Sequence, residues 1–141
     1  MRLKWQRLTD TAKIPTYAKP GDAGFDFCAS ENEYVRYGQI TIIFTGLTVE
    51  IPPGYEIQVR PRSGLAAREG IIVVNAPGTI DSGYRGEIKI ILSRIIPGQL
   101  RIISGDRIAQ GVLAKIETAE MEEGVLSETE RGIGGLGSTG K

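Results

Sequence analysis

Short β-branched runs separated by tight-turn residues are the feature that most constrains what this chain can fold into. Turn signals such as those at 52–54 and 97–98 recur at intervals of roughly ten residues, which is the spacing of hairpin-connected strands. Between these signals apolar and polar residues alternate, so that Tyr55, Ile57 and Val59 would share one face of a strand. This pattern predicts an all-β fold, either a sandwich or a jelly roll.

The same alternation predicts where the strands lie. We expect them at residues 4–8, 25–28, 39–44, 47–51, 55–60, 71–74, 87–92, 99–103 and 107–116. One segment departs from the pattern, because Ser63 could cap a helix, residues 65–69 are good helix formers and Gly70 provides an exit. The sequence therefore predicts one short helix of roughly two turns.

Charge and residue content exclude several classes of function. The 141 residues suffice for one domain, and 17 basic residues balance 17 acidic ones, so no global field attracts nucleic acid or an anionic membrane. The chain has one cysteine, Cys28, and no histidine, which excludes intrachain disulfides, Cys/His zinc sites and histidine-based triads. Any catalysis must therefore rest on carboxylates, hydroxyls or an oxygen-ligated metal. The apolar runs at 71–74 and 90–92 are far shorter than the roughly 20 residues of a membrane span, so we expect a cytoplasmic protein.

The chain changes character after Ile116. Residues 117–130 hold six glutamates and no basic residue, and a glycine-rich end follows. We therefore expect a core at 1–116 and an extended arm at 117–141 that is ordered only against a partner. From Gly132 to Thr139 the arm reads G-x-x-x-x-G-S-T, which differs from a P-loop because Ser138 stands where the lysine belongs. Without its own strand and helix this segment cannot cradle phosphate alone, and a disordered terminus has the same composition.

Two segments combine glycine with groups suited to phosphate binding or acid–base chemistry. At 61–66, Arg62, Ser63 and the first N–H groups of the helix could seat an anion, although a capped helix with a solvated arginine has the same sequence. At 75–87, Asp81 lies in a glycine-rich loop between apolar strands. In a chain without histidine an aspartate is the natural base for activating water, but Asp-Ser-Gly is also ordinary turn chemistry.

Two further segments carry isolated polar groups. Gln110 interrupts an otherwise apolar stretch and would need a partner if it were buried, whereas an edge strand would leave it in water. By itself the segment favours the edge strand. Asp22 and Asp26 could offer oxygens to magnesium, directly or through its waters, although two acids around a glycine-rich bend often mark only a turn.

Taken in order, five segments resemble the five sequence motifs of the trimeric dUTPases. They read PGDAGFDF, PRSGLA, NAPGTIDSGYRGEI, GDRIAQ and RGIGGLGSTG, and they extend from about residue 20 to residue 140. The resemblance implies a distorted jelly-roll, or β-clip-like, sandwich that forms a homotrimer with an exchanged C-terminal arm. It also implies hydrolysis of dUTP to dUMP and pyrophosphate with magnesium, a reaction that keeps uracil out of DNA and supplies dUMP for thymidylate synthesis.

The resemblance also assigns roles to the residues of a nucleoside site. Asp81 matches the aspartate that activates the water attacking the α-phosphorus. Tyr84 matches the tyrosine under the deoxyribose, whose ring leaves no room for a 2′-hydroxyl. The hairpin that reads the uracil edge corresponds to Asn75, Gly78, Thr79, Ile80 and Lys89.

Phosphate and metal positions follow from the resemblance in the same way. Arg62, Ser63 and Gly64 match the phosphate seat and Gln110 a second phosphate contact, while Asp26 matches the acid that holds magnesium through water. The arm that closes over the triphosphate corresponds to Arg131, Leu136, Gly137, Ser138 and Thr139. Leu136 departs from the family, which usually has an aromatic residue there that stacks on uracil. We therefore expect weaker ground-state binding or less complete arm closure, but not loss of activity.

Two other functions remain open from the sequence. A dCTP deaminase shares the fold and the phosphate seat but needs a glutamate at the cytosine amino group, for which Glu87 is the candidate. A non-catalytic nucleotide sensor or partner-binding module could also be built on this fold. The Ile-Asp-Ser-Gly-Tyr arrangement at 80–84 favours the hydrolase over the deaminase, and the complete motif set argues against the sensor.

Overall fold

The computed structural model describes residues 1–135, which form eleven strands and one helix. In chain order the elements are β1 (Lys4–Arg7), β2 (Gly24–Cys28), β3 (Glu33–Arg36), β4 (Thr41–Phe44), β5 (Leu47–Glu50), β6 (Tyr55–Arg60), α1 (Ser63–Glu69), β7 (Ile71–Val73), β8 (Gly78–Ile80), β9 (Lys89–Arg94), β10 (Gln99–Ile102) and β11 (Arg107–Lys115). The described chain is therefore built mainly from β-strands, as the sequence predicts.

Two sheets form the layers of a sandwich. The larger has the strand order β2-β11-β6-β8 and the smaller has the order β4-β9-β7, and every pairing within them is antiparallel. Their inner faces contribute to one buried cluster, which includes Phe27 and Ile57 from the larger sheet and Ile43, Ile90 and Leu92 from the smaller. Burial of this apolar surface is the main source of stability, and the architecture confirms the predicted all-β fold.

Two antiparallel ribbons, β1–β5 and β3–β10, accompany these sheets. Trp5 of β1 packs edge-to-face on Phe25 and Phe27 of β2, with ring-centroid distances of 5.8 and 6.1 Å. Gly111, in the middle of β11, faces the same cluster, and a Cβ built there would overlap both phenylalanine rings. Glycine at this position therefore allows the aromatic rings to lie directly against the β11 backbone.

The helix α1 lies where the sequence predicts it, but its start differs from the prediction. Arg62 is the N-cap residue, and no side chain makes a capping hydrogen bond, so the expectation that Ser63 caps the helix is wrong. Ser63 is instead the first helical residue, and its side chain is exposed. At the other end Gly70 adopts φ 61° and ψ 29°, a left-handed conformation that favours glycine and ends the helix.

Nine strands lie within two residues of their predicted bounds, and two were not predicted. The sequence of β3 is Glu-Tyr-Val-Arg, in which only Val35 is buried, so its alternation is too weak to detect. Strand β8 begins at Gly78 inside the segment that reads as a glycine-rich loop. It forms because residues 78–80 pair with β6, a long-range contact that local propensity does not contain.

After β11 the described arm has no regular secondary structure through residue 129. Its large apolar side chains are exposed, with Met121 at 89%, Leu126 at 90% and Val125 at 103% of their reference areas. These apolar side chains of the arm are therefore not buried in the core of their own chain. Among residues 1–135 there is no helix with the length and apolar character that crossing a membrane requires.

Candidate active site

The residues singled out by the motifs line three cavities of the described chain. The Asp81 cavity, of about 160 Å³, is lined by Thr79, Ile80, Asp81, Tyr84, Glu87, Ile88 and Lys89. The Ser63 cavity, of about 530 Å³, is lined by Gln58, Arg60, Pro61, Ser63, Ala76, Pro77 and Gln110. The Arg107 cavity, of about 260 Å³, is lined by Arg62, Leu65, Leu100, Arg101, Ile102, Asp106 and Arg107. The candidate base and the candidate phosphate residues therefore lie in separate cavities of one chain.

Asp81 follows directly after β8 and opens the turn that leads to Tyr84. Its backbone carbonyl accepts a hydrogen bond from the Tyr84 N–H at 3.1 Å, while its side chain is exposed at the cavity. The Asp-Ser-Gly sequence thus forms a turn, and the same turn presents a carboxylate at the cavity. Turn chemistry and a role as base are compatible at this position.

The Tyr84 ring has a fixed position over the hairpin. Its hydroxyl donates to the Glu87 carbonyl at 2.9 Å, and a Cβ built on Gly86 would overlap the ring. Glycine at 86 thus allows the ring to fold back over the backbone, and the hydrogen bond holds it there. The Tyr84 ring thus forms an aromatic wall beside Asp81, and the hydroxyl of the ring is already hydrogen-bonded to the Glu87 carbonyl.

The Glu87 carboxylate has a structural partner. Its Oε1 accepts a hydrogen bond from the Gly46 N–H at 2.8 Å, which ties the hairpin to the connection between β4 and β5. A carboxylate engaged with backbone is poorly placed for proton transfer at a substrate amino group. This contact argues against the deaminase role considered for Glu87.

The rest of the predicted base-reading hairpin is partly gathered at the Asp81 cavity. Thr79, Ile80 and Lys89 line it, and the Lys89 ammonium lies 5.3 Å from the centre of the Phe44 ring. Asn75 and Gly78 do not line that cavity. They lie next to each other, since the Asn75 amide nitrogen is 3.0 Å from a Cβ built at Gly78, so a side chain at 78 would displace the amide.

Gln110 lies in the middle of the larger sheet, where β11 has β2 on one side and β6 on the other. The prediction that it sits on an edge strand in water is therefore wrong. Its amide Nε2 donates to the Pro61 carbonyl at 2.8 Å, which fixes the side chain at the Ser63 cavity. A Cβ at Gly24 would come within 2.5 Å of the Gln110 Oε1, so glycine at 24 leaves the space that this side chain occupies.

Arg62 points away from Ser63 and into the Arg107 cavity. Its Nε lies 2.9 Å from the Asp26 Oδ1, and its NH1 donates to the Arg107 carbonyl at 2.9 Å. The second Asp26 oxygen lies 3.3 Å from NH1 of Arg107. Asp26 therefore bridges two guanidinium groups, which is a contact that the sequence did not reveal. Gly64 follows Ser63 in the helix, and a Cβ built on it would lie 3.0 Å from the Arg68 guanidinium.

A metal site made of several protein carboxylates is absent from residues 1–135, where no group of three or more acidic, cysteine or histidine side chains converges. Asp22 closes a turn, because its Oδ2 accepts from the Lys19 N–H at 2.8 Å. Asp106 lines the Arg107 cavity, but its Oδ2 accepts from the Ile103 N–H at 2.9 Å, so Asp26 is the motif acid whose carboxylate pairs with Arg62 and Arg107. A single carboxylate is compatible with magnesium, because that ion keeps several waters and takes its other oxygens from substrate phosphates.

Cys28 is the one thiol of the chain, and it lies two residues beyond Asp26 on β2. Burial raises the pKa of its thiol. A raised pKa favours the protonated thiol over the thiolate, which is the nucleophilic form.

Of the five arm residues that the resemblance assigns to the triphosphate, the structure describes only Arg131. Arg131 is exposed, and its Nε donates to the Gly134 carbonyl at 3.0 Å within a local turn. Leu136, Gly137, Ser138 and Thr139 lie outside the described residues.

Sequence reasoning missed two residues of the Ser63 cavity, Gln58 and Arg60. Both belong to β6, and they alternate with the buried Ile57 and Val59. The signal that could have found them is this alternation, since it assigns Gln58 and Arg60 to the outer face of the strand that leads into the Arg62 motif.

Comparison with known proteins gives consistent matches. The sequence profile of the dUTPase family matches residues 10–140. The deoxyuridine 5′-triphosphate nucleotidohydrolase of Wolinella succinogenes is 48% identical, with 100% of this chain and 95% of the relative covered. The protein of the same name from Nautilia profundicola is 50% identical, and both chains are covered completely, at 100%.

Solved structures agree with these sequence matches. A Staphylococcus bacteriophage 80alpha dUTPase with dUpNHpp superposes with a TM-score of 0.91 at 27% identity, and 99% of each chain is covered. A dUTPase from phage phi11 of S. aureus, described with a coordinated structural Mg(II) ion, superposes with a TM-score of 0.82. It covers 92% of this chain and 99% of its own, and at 24% identity it supports the fold alone.

Proposed function

The chain belongs to the dUTPase family, and from that premise we propose that it hydrolyses dUTP to dUMP and pyrophosphate. The observation that carries the proposal is the Asp81 cavity, where a carboxylate and a fixed tyrosine ring lie side by side. The relatives that share this sequence over its whole length are named for the same substrate. The product dUMP would serve thymidylate synthesis, and removal of dUTP would keep uracil out of DNA. We propose the cytoplasm as the place of this reaction.

The Asp81 cavity would select the nucleoside. With its hydroxyl held by the Glu87 carbonyl, the Tyr84 ring would pack under the deoxyribose and leave no space for a 2′-hydroxyl. Asn75 and the backbone of residues 78–81 would pair with the uracil edge, as a complementary base does. Both sugar and base would thus be read by rigid parts of one hairpin.

Asp81 would act as the general base. It would take one proton from a water as the water oxygen bonds to the α-phosphorus and the bond from that phosphorus to the α,β-bridging oxygen breaks. The bonding electrons leave with pyrophosphate. Ser63, Gln110 and Arg62 would bind the phosphates and stabilise the negative charge that grows on the leaving group.

Magnesium is the cofactor that we propose. Asp26 would hold it through a water while remaining bound to its two arginines, and Asp22 is engaged in its own turn. When bound, the ion would neutralise phosphate charge and fix the triphosphate geometry. Arg62 and Arg107 place two further positive charges, from the protein, beside the proposed magnesium position.

We further propose that the working unit is a homotrimer. In one chain Asp81 and Ser63 line different cavities, so a neighbouring chain is the natural source of the missing half. The outer face near the smaller sheet also leaves apolar side chains exposed at Ile40, Ile42, Phe44 and Val74, which a partner would cover. Residues 117–141 would form an exchanged arm, which accounts for the exposed Val125 and Leu126.

The test is pyrophosphate release from dUTP, dTTP, dCTP and UTP under identical conditions, with ammonia measured in the dCTP reaction. We expect rapid release from dUTP alone, because the cavity should reject a 5-methyl group, an amino group at C4 and a 2′-hydroxyl. Ammonia from dCTP would establish the deaminase instead. Tight dUTP binding without pyrophosphate would establish a sensor. Light scattering gives the oligomeric state, and a monomer would contradict the trimer.

A further inference from the structure

Arg60 is a cation on the wall of the Ser63 cavity to which neither the motifs nor the family resemblance gives a role. It ends β6, two residues before Arg62, and it lines the same cavity as Ser63 and Gln110. Arg62 turns into the Arg107 cavity toward Asp26, whereas Arg60 shares its cavity with Ser63 and Gln110, two of the three proposed phosphate ligands.

The strand register explains this position. Arg60 pairs directly with Gln110 on β11, and Gln110 pairs on its other side with Asp26 on β2. Residues paired across antiparallel strands point to the same face of the sheet. A row of polar side chains therefore runs across three strands on the outer face, and Arg60 is its last member.

The Arg60 guanidinium is oriented by its own strand. Gln58 Oε1 accepts from Nε at 3.2 Å and from NH2 at 2.6 Å, and the Gln58 amide in turn donates to Glu56 at 2.7 Å. These bonds fix the plane of the group and leave NH1 for another acceptor. In the described part of the chain no carboxylate lies within ion-pair distance of Arg60.

We propose that Arg60 binds the phosphate groups of dUTP that leave as pyrophosphate. The inference rests on the proposed function, and it assigns a further binding residue to that reaction. A planar guanidinium with a free N–H edge can donate two hydrogen bonds to phosphate oxygens and supplies positive charge beside them. Arg60 lines the Ser63 cavity, whereas the nucleoside would lie in the Asp81 cavity. Arg60 would therefore face the phosphates that leave as pyrophosphate, not the nucleoside.

The experiment compares the wild type with Arg60→Met, which keeps the length of the side chain without its charge, and with Arg60→Lys. Arg36→Met is the matched control, because Arg36 is an exposed arginine on β3. Readouts are KM and kcat for dUTP, and the Kd values for dUMP and for the triphosphate analogue dUpNHpp. Thermal unfolding verifies that each variant is folded.

We expect Arg60→Met to weaken dUpNHpp binding and raise KM for dUTP about tenfold or more, as for loss of a charged hydrogen bond. The Kd for dUMP should change less than about twofold, since dUMP lacks the leaving phosphates. Arg60→Lys should lose less than Arg60→Met, because lysine keeps the positive charge but cannot donate two parallel hydrogen bonds as a guanidinium does. Arg36→Met should match the wild type.

Two outcomes would overturn the assignment of Arg60. One is a folded Arg60→Met with unchanged dUpNHpp binding, which would make Arg60 a solvated surface residue. The other is an equal loss for dUMP and dUpNHpp, which would place its effect on the nucleoside half or on folding. If Arg60→Met does not fold, Arg60→Lys decides by the same comparison. Failure of the proposed function is distinct, because the wild type itself would then release no pyrophosphate.

Discussion

The replacement Asp26→Asn tests whether the carboxylate that bridges Arg62 and Arg107 stabilises the fold, binds magnesium, or does both. Asparagine keeps the size of the side chain but removes its charge. One of its two polar ends then becomes an NH₂ group that faces a guanidinium, so one of the two contacts, at 2.9 or 3.3 Å, joins two donors. The perturbation is therefore confined to the charge and to one hydrogen bond.

The expected cost in stability follows from this geometry. A hydrogen bond to a charged group contributes about 1.5–3 kcal/mol when it is well shielded. The Asp26 side chain is 25% exposed and that of Arg107 is 57% exposed, so solvent screens the second contact strongly. We expect the free energy of unfolding to fall by about 1–2 kcal/mol, which for a chain of this size lowers Tm by roughly 3–8 °C.

Urea unfolding measures this loss, and the protein concentration is held fixed because the proposed association would contribute to stability. The control is Asp22→Asn, since Asp22 is exposed and, among residues 1–135, its side chain accepts a hydrogen bond only from the Lys19 N–H of its own turn. It should cost less than about 1 kcal/mol. In parallel, pyrophosphate release from dUTP is titrated with magnesium for both variants.

The two roles of Asp26 give separate results. If Asp26→Asn loses no more stability than Asp22→Asn, the bridge contributes no more than an exposed turn hydrogen bond, and the electrostatic reasoning is refuted. If the magnesium concentration for half-maximal activity is unchanged, Asp26 does not hold the metal. A variant with reduced stability and a raised magnesium requirement would support both roles.

Three further predictions concern chemistry, closure and packing. Asp81→Asn should retain dUTP binding while kcat falls by roughly two to four orders of magnitude, and an Asn variant with near-normal turnover would remove Asp81 from the role of base. Leu136→Phe should lower KM by up to about tenfold, since an aromatic contact with uracil adds about 0.5–1.5 kcal/mol. Unchanged KM and kcat would show that stacking on uracil is unimportant. Gly111→Ala should lower the free energy of unfolding by about 1–3 kcal/mol, because its Cβ would overlap the rings of Phe25 and Phe27. Gly124→Ala should change it by less than about 0.5 kcal/mol, because no atom of residues 1–135 beyond its chain neighbours would lie within 4 Å of the added Cβ. Equal denaturation midpoints would contradict the packing argument.

The strands with strong alternation could be predicted from the sequence because their pattern is local. Strand β6 lies where Tyr55, Ile57 and Val59 predict it, and the helix ends at Gly70 as expected. Strand β8 and the central position of Gln110 could not be predicted, because both depend on pairing with strands far along the chain. Local composition contains no information about such partners.

The candidate site shows the same division between local and long-range information. Asp81 and Tyr84 share a cavity because they share a turn, which the sequence makes visible. The direction of Arg62 is different, since it depends on Asp26 and Arg107, which are distant in sequence. Motif order therefore gave the candidate residues, but only the three-dimensional contacts show that the Arg62 side chain is held by a carboxylate.

The separation of the Asp81 and Ser63 cavities has a consequence for how mutations in this protein would behave genetically. If each site takes its halves from different chains, a chain defective at Asp81 still offers an intact Ser63 cavity to its neighbour. Two inactive chains with lesions in different cavities could then restore activity when they are expressed together. Dilution below the association threshold would abolish the activity of even the intact protein, so the amount of protein in the cell would itself regulate hydrolysis.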